Sequence, residues 1–348
     1  QFIFCLGEPG SGKTRLINEL ERTSISRNTF FCVSKYDPYL RGSPFYSIVT
    51  VLKDVVHQIL SGSALSITQW RDNIITNLKV DLGVLFDHIP ELKDLLGHDY
   101  VKMLPQPKRL GPVPRELRFK YVVKSLFSLF GGHGLTIFLD DIQWCPQTEL
   151  GLFRELATFT TQNSPTDIHI TFVCASTLEN KRYQELVRLS KDLNLYYEEI
   201  RLSPLSYDAV EEIICSTLTA KSSSSRRSIK YVKNDLVLST LSLGSSDTVD
   251  PQVTSLAQIA YKVTNGNPLF VNLLLVFMQQ LGYIYYDNSN RVTGGKWKVN
   301  FELFDVKDIP ASVTDVVITT VKNLPPKTFN ILKYAACICS NSFTLEDL

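Results

Sequence analysis

The chain has 348 residues, room for two domains and a sizeable buried core. With 44% hydrophobic and 20% charged residues and a mean hydropathy near zero, its composition is ordinary for a soluble globular protein. A formal net charge of +1 excludes a global electrostatic pull toward nucleic acid, a membrane surface or an acidic partner.

Residues 1–6 (QFIFCL) form a short continuous apolar run, the pattern of a central parallel strand covered on both faces. The run holds no cleavage pattern of a secretory signal. It leads directly into Gly7-Glu8-Pro9-Gly10-Ser11-Gly12-Lys13-Thr14, which is G-x-x-x-x-G-K-T without a mismatch, and then into the helical pattern RLINELER. In such a loop the glycines let the backbone curl so that its N–H groups converge on phosphates. Lys13 supplies a cation to the β and γ oxygens, Thr14 offers a hydroxyl to Mg²⁺, and the helix N-terminus faces the anion. A chance glycine-rich turn is the plain alternative, but strand before and helix after are the context the motif needs. The expected cofactors are therefore ATP and Mg²⁺.

Strand-like character returns at 29–34 (TFFCVS), followed by a long helical insert over about 44–130. Within it, PFYSIVTVLKDVVHQIL and DHIPELKDLLG read as amphipathic core helices, and the proline-rich 104–114 reads as an exposed connector. Residues 135–139 (LTIFL) make a second buried-strand run ending in Asp140-Asp141. Apolar residues followed by an acid at a strand's C-terminal end match the Walker B pattern. Asp140 would orient the Mg²⁺ shell, and Asp141 sits where an acid could polarise the attacking water. A polar strand end that opens a turn is the bland reading, and Gln143 and Trp144 fit plain packing as well.

Strands are also expected at 168–175 (IHITFVCA) and 198–202 (EEIRL), giving a five-stranded, doubly wound parallel α/β sheet. The low-complexity basic run 221–228 (KSSSSRRS) reads as a solvated loop open to phosphorylation. Residues 264–270 (TNGNPLF) read as a turn and helix start. The apolar run at 269–278 is broken by Asn272 and falls short of the ~18 residues a membrane helix needs. The last stretch reads as two helices and a turn. The seven cysteines are scattered and read as small buried hydrophobes in a reducing compartment, and Cys337-Ile338-Cys339 lacks a second ligand pair for zinc.

FLDDIQWCPQTELGLFREL resembles the Asp-Asp-x-Gln-Trp segment of signal-transduction ATPases with numerous domains, a branch close to the AAA-type ATPases. The insert resembles that of ATPase modules attached to signalling kinases and adenylyl cyclases. The resemblance implies a P-loop NTPase domain over 1–205, a helical lid over 206–300 and the start of a winged-helix module over 301–348. It makes Gly266 and Pro268 cofactor contacts of a Gly-x-Pro motif. It also implies catalytic roles for Lys13 and Asp141 and metal-binding roles for Thr14 and Asp140. Where relatives carry an arginine that reads the γ-phosphate, this chain has Ser176-Thr177-Leu178, which leaves hydrolysis in doubt.

The expected function is an ATP-binding regulatory module, a Mg-ATP switch with slow turnover, inside a cytoplasmic signalling protein of hybrid histidine kinase type. Its expected partners are the other domains of the same polypeptide, with self-association open and neither nucleic acid nor a membrane span expected. A nucleotide-stabilised scaffold with little hydrolysis is the alternative, and an origin-recognition-like DNA-binding ATPase is the third reading. The chain begins inside a strand and ends inside a helix, so a segment of a larger polypeptide is expected.

Overall fold

The computed structural model describes residues 1–27, 29–38, 45–103, 112–162, 168–178, 180–219, 251–287, 296–301, 310 and 312–338. The connector at 104–111, the basic run 221–228 and the chain end from 339 lie outside the described residues. Contacts divide the chain into two compact units, Gln1–Glu8 with Lys13–Leu202, and Pro9–Gly12 with Ser203–Leu348.

The first unit is built on β1 (Phe2–Leu6), β2 (Phe30–Lys35), β3 (Leu135–Asp140), β4 (Ile170–Ser176) and β5 (Tyr197–Arg201). They form one five-stranded sheet in the order β2-β3-β4-β1-β5, and every pairing is parallel. Chain order and spatial order differ because parallel neighbours need crossover connections. The path from β1 to β2 runs one way across the sheet, and every later step runs the other. β1 therefore stands at the point where the winding reverses, beside which α/β folds bind ligands at the strand C-termini.

The period-two pleat sorts the apolar residues of each strand onto two faces. Phe2, Phe4, Leu6, Cys32, Ile137, Leu139, Phe172 and Cys174 enter one large core. Ile3, Cys5, Phe31, Phe138, Val173 and Ala175 face the other side, where Ile17 of α1 (Lys13–Ser26) covers them. Both faces are buried, which is why these strands read as unbroken apolar runs.

Helices of the insert close the larger core. These are α2 (Tyr46–Leu60), α3 (Ala64–Leu78), α4 (Glu91–Leu96), α5 (His98–Met103) and α6 (Pro112–Gly131), with a short 3-10 turn at Lys79–Val84. Ile48, Val51, Leu52, Val55, Val56 and Ile59 of α2 recur at helical spacing and are all buried. Two more helices, α7 (Gln147–Gln162) and α8 (Lys181–Asp192), complete the layer. Fully burying each such aliphatic side chain contributes roughly 1.5–3 kcal/mol, so the insert is part of the domain's core.

One polar cluster sits inside this layer. The Glu149 carboxylate on α7 accepts hydrogen bonds from the Tyr36 hydroxyl (2.8 Å) and the Ser47 backbone N–H (3.3 Å), and it also bonds the Ser47 hydroxyl. Glu149 and Ser47 are both buried, and the cluster ties the chain after β2 to the starts of α2 and α7. Burial raises the Glu149 pKa above the ordinary 4.5, against the hydrogen bonds from Ser47 and Tyr36. The folded state therefore holds the proton more tightly than the unfolded chain. This group's contribution to stability is largest at low pH and declines as pH rises from about 4.5 through the raised value. Glu149→Gln keeps the shape and removes that linkage. Urea denaturation across this window should show a shallower loss of stability in the variant, by up to about 1.4 kcal/mol per pH unit. Parallel slopes in the two proteins would rule the linkage out.

The second unit contains α9 (Tyr207–Thr219), α10 (Pro251–Thr264), α11 (Pro268–Gln280), α12 (Val313–Lys322) and α13 (Pro326–Ile338). It also holds β6 (Ile284–Asp287) paired antiparallel with β7 (Lys296–Val299), a ribbon absent from the sequence reading. Val210, Ile214, Leu256, Ala260, Val271, Leu274 and Met278 form its core. α11 is apolar nearly all round because Phe270, Leu273 and Phe277 pack into a separate cluster with Val316 of α12. Asn267 caps α11 by accepting from the Phe270 N–H at 3.2 Å, and Pro268 occupies the first helical turn. Pro9–Gly12 groups with this unit: Asn267 Nδ2 donates to Pro9 O (3.0 Å) and the Leu269 N–H to Gly10 O (3.2 Å).

Cys5, Cys32, Cys145 and Cys174 are buried as the apolar runs implied, whereas Cys337 is exposed on α13. No helix among the described residues is long and apolar enough to cross a membrane.

Candidate nucleotide-binding site

The site is assembled at the C-terminal edge of the first unit's sheet. β1 ends at Leu6, and the Gly7 N–H donates to Ser176 O at the end of β4 (3.3 Å). The loop then turns through Gly10 (φ +82°) and Gly12 (φ +94°), backbone geometry that disfavours a side chain. A Cβ at Gly12 would meet no atom within 4 Å, so conformation rather than space selects glycine there.

Lys13, the first residue of α1, folds back over the loop. Its ammonium donates to Gly7 O and Glu8 O, each at 2.9 Å, and the side chain is buried. Among the described residues no carboxylate lies within ion-pair distance of it. The cation is held by neutral carbonyls and keeps its charge uncompensated, the arrangement an incoming anion exploits.

Thr14 reaches across to the acidic strand, and its hydroxyl donates to Asp140 Oδ2 at 2.9 Å. Asp140 closes β3 and is 3% exposed. Its pKa is raised by burial and then by the neighbouring Asp141 charge, with the Thr14 hydrogen bond and Lys35 opposing. A buried carboxylate with an acid beside it favours the approach of positive charge. Asp141 turns the chain with φ 56° and donates its N–H to Asp140 Oδ1 (3.0 Å).

The carboxylate of Asp141 is held from both sides. Gln143 Nε2 donates to Oδ1 at 2.9 Å, and Lys35 Nζ lies 3.2 Å from Oδ2. Gln143 is thus more than a packing residue. Trp144, 51% exposed, packs little.

The hydroxyls of Ser176 and Ser11 are buried and make no hydrogen bond. The unsatisfied buried hydroxyl of Ser176, an ammonium held only by carbonyls and a buried carboxylate with an acid neighbour fit a phosphate-bearing ligand with a divalent cation. Lys13 and the loop N–H groups would hold the phosphates. Thr14 and Asp140 would hold Mg²⁺.

Of the expected residues, Gly7, Glu8, Lys13 and Thr14 are brought together with Asp140 and Asp141 in the first unit, while Pro9–Gly12 group with the second. Gly266 and Pro268 belong to the second unit: the Gly266 carbonyl accepts from the Leu205 N–H at 2.9 Å, and Pro268 opens α11. Sequence reasoning missed Lys35, because no motif marks it. Its signal was the polar end of the second strand, meaningful only once β2 is known to pair with β3.

Residues 1–171 match the model of the AAA ATPase domain. The chain is 27% identical over 332 residues to histidine protein kinase 1 of Candida albicans, covering 88% of this chain and 12% of that protein. It is 25% identical over 384 residues to hybrid signal transduction histidine kinase G of Dictyostelium discoideum, covering the whole of this chain and 11% of that one. The chain thus spans about an eighth or less of the length of these relatives. Among solved structures it is similar to Cdc6p from Pyrobaculum aerophilum, with a TM-score of 0.40, 14% identity and coverage of 81% of this chain and 56% of that one. Residues 1–171, which carry the P-loop and the first three strands of the parallel sheet, are an AAA-type ATPase domain in a region that is similar to histidine kinases.

Proposed function

We propose that the chain is a Mg-ATP-dependent regulatory module of a larger signalling protein, and that it turns ATP over slowly. The observation that carries this reading is the 2.9 Å hydrogen bond from Thr14 to Asp140. It joins the phosphate loop to the acidic strand at the point where a metal would be shared. Bound Mg²⁺ would supply charge neutralisation at the β and γ oxygens. Lys13 would add a fixed cation beside them, and Asp141 would accept a hydrogen bond from the attacking water. The roles of Gly266 and Pro268 toward the nucleotide, and the 1–205, 206–300 and 301–348 division, rest on the family resemblance alone.

A second reading is a nucleotide-stabilised scaffold with little turnover. Thr177 in place of an arginine favours it, as does the tethering of Asp141 by Lys35 and Gln143. Measured ATP affinity and single-turnover hydrolysis of the wild type and Asp141→Asn separate the two. Under the switch reading, the variant binds ATP within about threefold of wild type and loses at least about tenfold in hydrolysis rate. Equal binding with no hydrolysis by either protein would leave the scaffold.

A further inference from the structure

The metal corner of the site already contains a cation. β2 ends on Lys35, and the parallel register sets this residue opposite Asp140. Its ammonium lies 3.2 Å from Asp141 Oδ2 and 3.9 Å from Asp140 Oδ2. The latter oxygen is the one that accepts the Thr14 hydroxyl. Folding gives no strong reason for this placement, because the Lys35 side chain is 60% exposed and exposed ion pairs contribute little. The site gives a reason. Two adjacent carboxylates, one of them buried, repel each other unless positive charge stands between them.

We propose that Lys35 is the resident counter-cation of the metal corner, and that Mg²⁺ must displace its ammonium to reach Asp140. The inference rests on the reading of Asp140 as a metal ligand. Before metal arrives, Lys35 keeps the two acids together at the strand ends without chelating them, since an ammonium is a donor only. A divalent ion brought beside a unit positive charge would work against a repulsion equivalent to about tenfold in affinity, even at the dielectric of water. The exposed four-carbon stem lets the ammonium swing into solvent and relieve part of that repulsion. Gln143 keeps its hold on Asp141 Oδ1 when Lys35 leaves, so the acid stays in place. Lys35 thus sets how much divalent metal the site demands.

The test is metal binding rather than turnover. The whole chain is loaded with a non-hydrolysable ATP analogue and titrated with Mn²⁺, the free ion being counted by electron paramagnetic resonance. Lys35→Met keeps the length of the stem and removes the charge, so Mn²⁺ should bind about tenfold more tightly. Lys35→Arg keeps the charge and should remain within about threefold of wild type. Unchanged or weaker Mn²⁺ binding in Lys35→Met overturns the proposal. Asp140→Asn, measured in parallel, separates the two levels. If that variant binds Mn²⁺ as wild type does, the assignment of Asp140 as a ligand fails, and the role of Lys35 with it. If it loses Mn²⁺ while Lys35→Met is unchanged, only the role of Lys35 fails.

Discussion

Lys13→Ala is expected to lower ATP affinity by at least about 100-fold while leaving the fold intact. The affinity loss follows from charge. Among the described residues the ammonium has no carboxylate partner and is held by the carbonyls of Gly7 and Glu8, so its charge is available to a polyphosphate. A charge-assisted contact to two phosphates in a partly desolvated loop accounts for at least about 3 kcal/mol of binding. The small effect on folding follows from the same contacts. Removing Lys13 leaves two carbonyls without a donor, at a cost of about 1–2 kcal/mol, but it also removes a buried charge that was costly to desolvate. Isothermal titration with ATP, run beside a thermal melt, reads both quantities. Wild-type affinity in a folded variant would end the assignment of residues 7–14 as a phosphate site. A variant that loses affinity only because it melts would show both signals falling together.

How far the site could be read from sequence depended on how local its parts are. The loop at 7–14 and the acid pair at 140–141 are each contiguous, and their chemistry follows from residue type and spacing. Four strands were legible for a related reason: a strand buried on both faces is largely apolar, so β1 to β4 stand out as runs, whereas the edge strand β5 carries Glu198, Glu199 and Arg201, and all five ends are displaced by only a residue or two. Lys35 was not legible, because its meaning comes from register with a strand about a hundred residues later. Glu149 was hidden in the same way, since its partners Tyr36 and Ser47 lie 113 and 102 residues distant. The β6–β7 ribbon was absorbed into the reading of a helical region because Ile284-Tyr285-Tyr286 follows the apolar α11 after only three intervening residues. Its alternation becomes a strand signal only opposite Trp297 and Val299.

Gly266 shows how a residue singled out by motif can carry a structural demand of its own. It adopts φ +74°, and a Cβ built there would lie 2.2 Å from Leu205 O and 3.1 Å from Leu205 N and C. All of these are backbone atoms, so no side chain can rotate away. The approach is fixed from the other side by the Leu205 N–H donating to Gly266 O at 2.9 Å. Gly266→Ala therefore incurs about 1–2 kcal/mol for the left-handed backbone, and it must also displace the 205 segment, losing that hydrogen bond at roughly a further 1 kcal/mol. A total of about 3 kcal/mol is expected, concentrated in the unit formed by Ser203–Leu348. Asn265→Gly is the control: Asn265 also has positive φ, at 48°, so glycine there relieves strain and stability should change by less than about 1 kcal/mol. Urea denaturation of the two variants, followed by far-ultraviolet circular dichroism, gives the comparison. If Gly266→Ala unfolds at the wild-type midpoint, the 205 segment moves aside at no cost, and steric demand does not explain the glycine. If it is destabilised but, while still folded, binds ATP as wild type does, packing against Leu205 accounts for the residue without any contact to nucleotide.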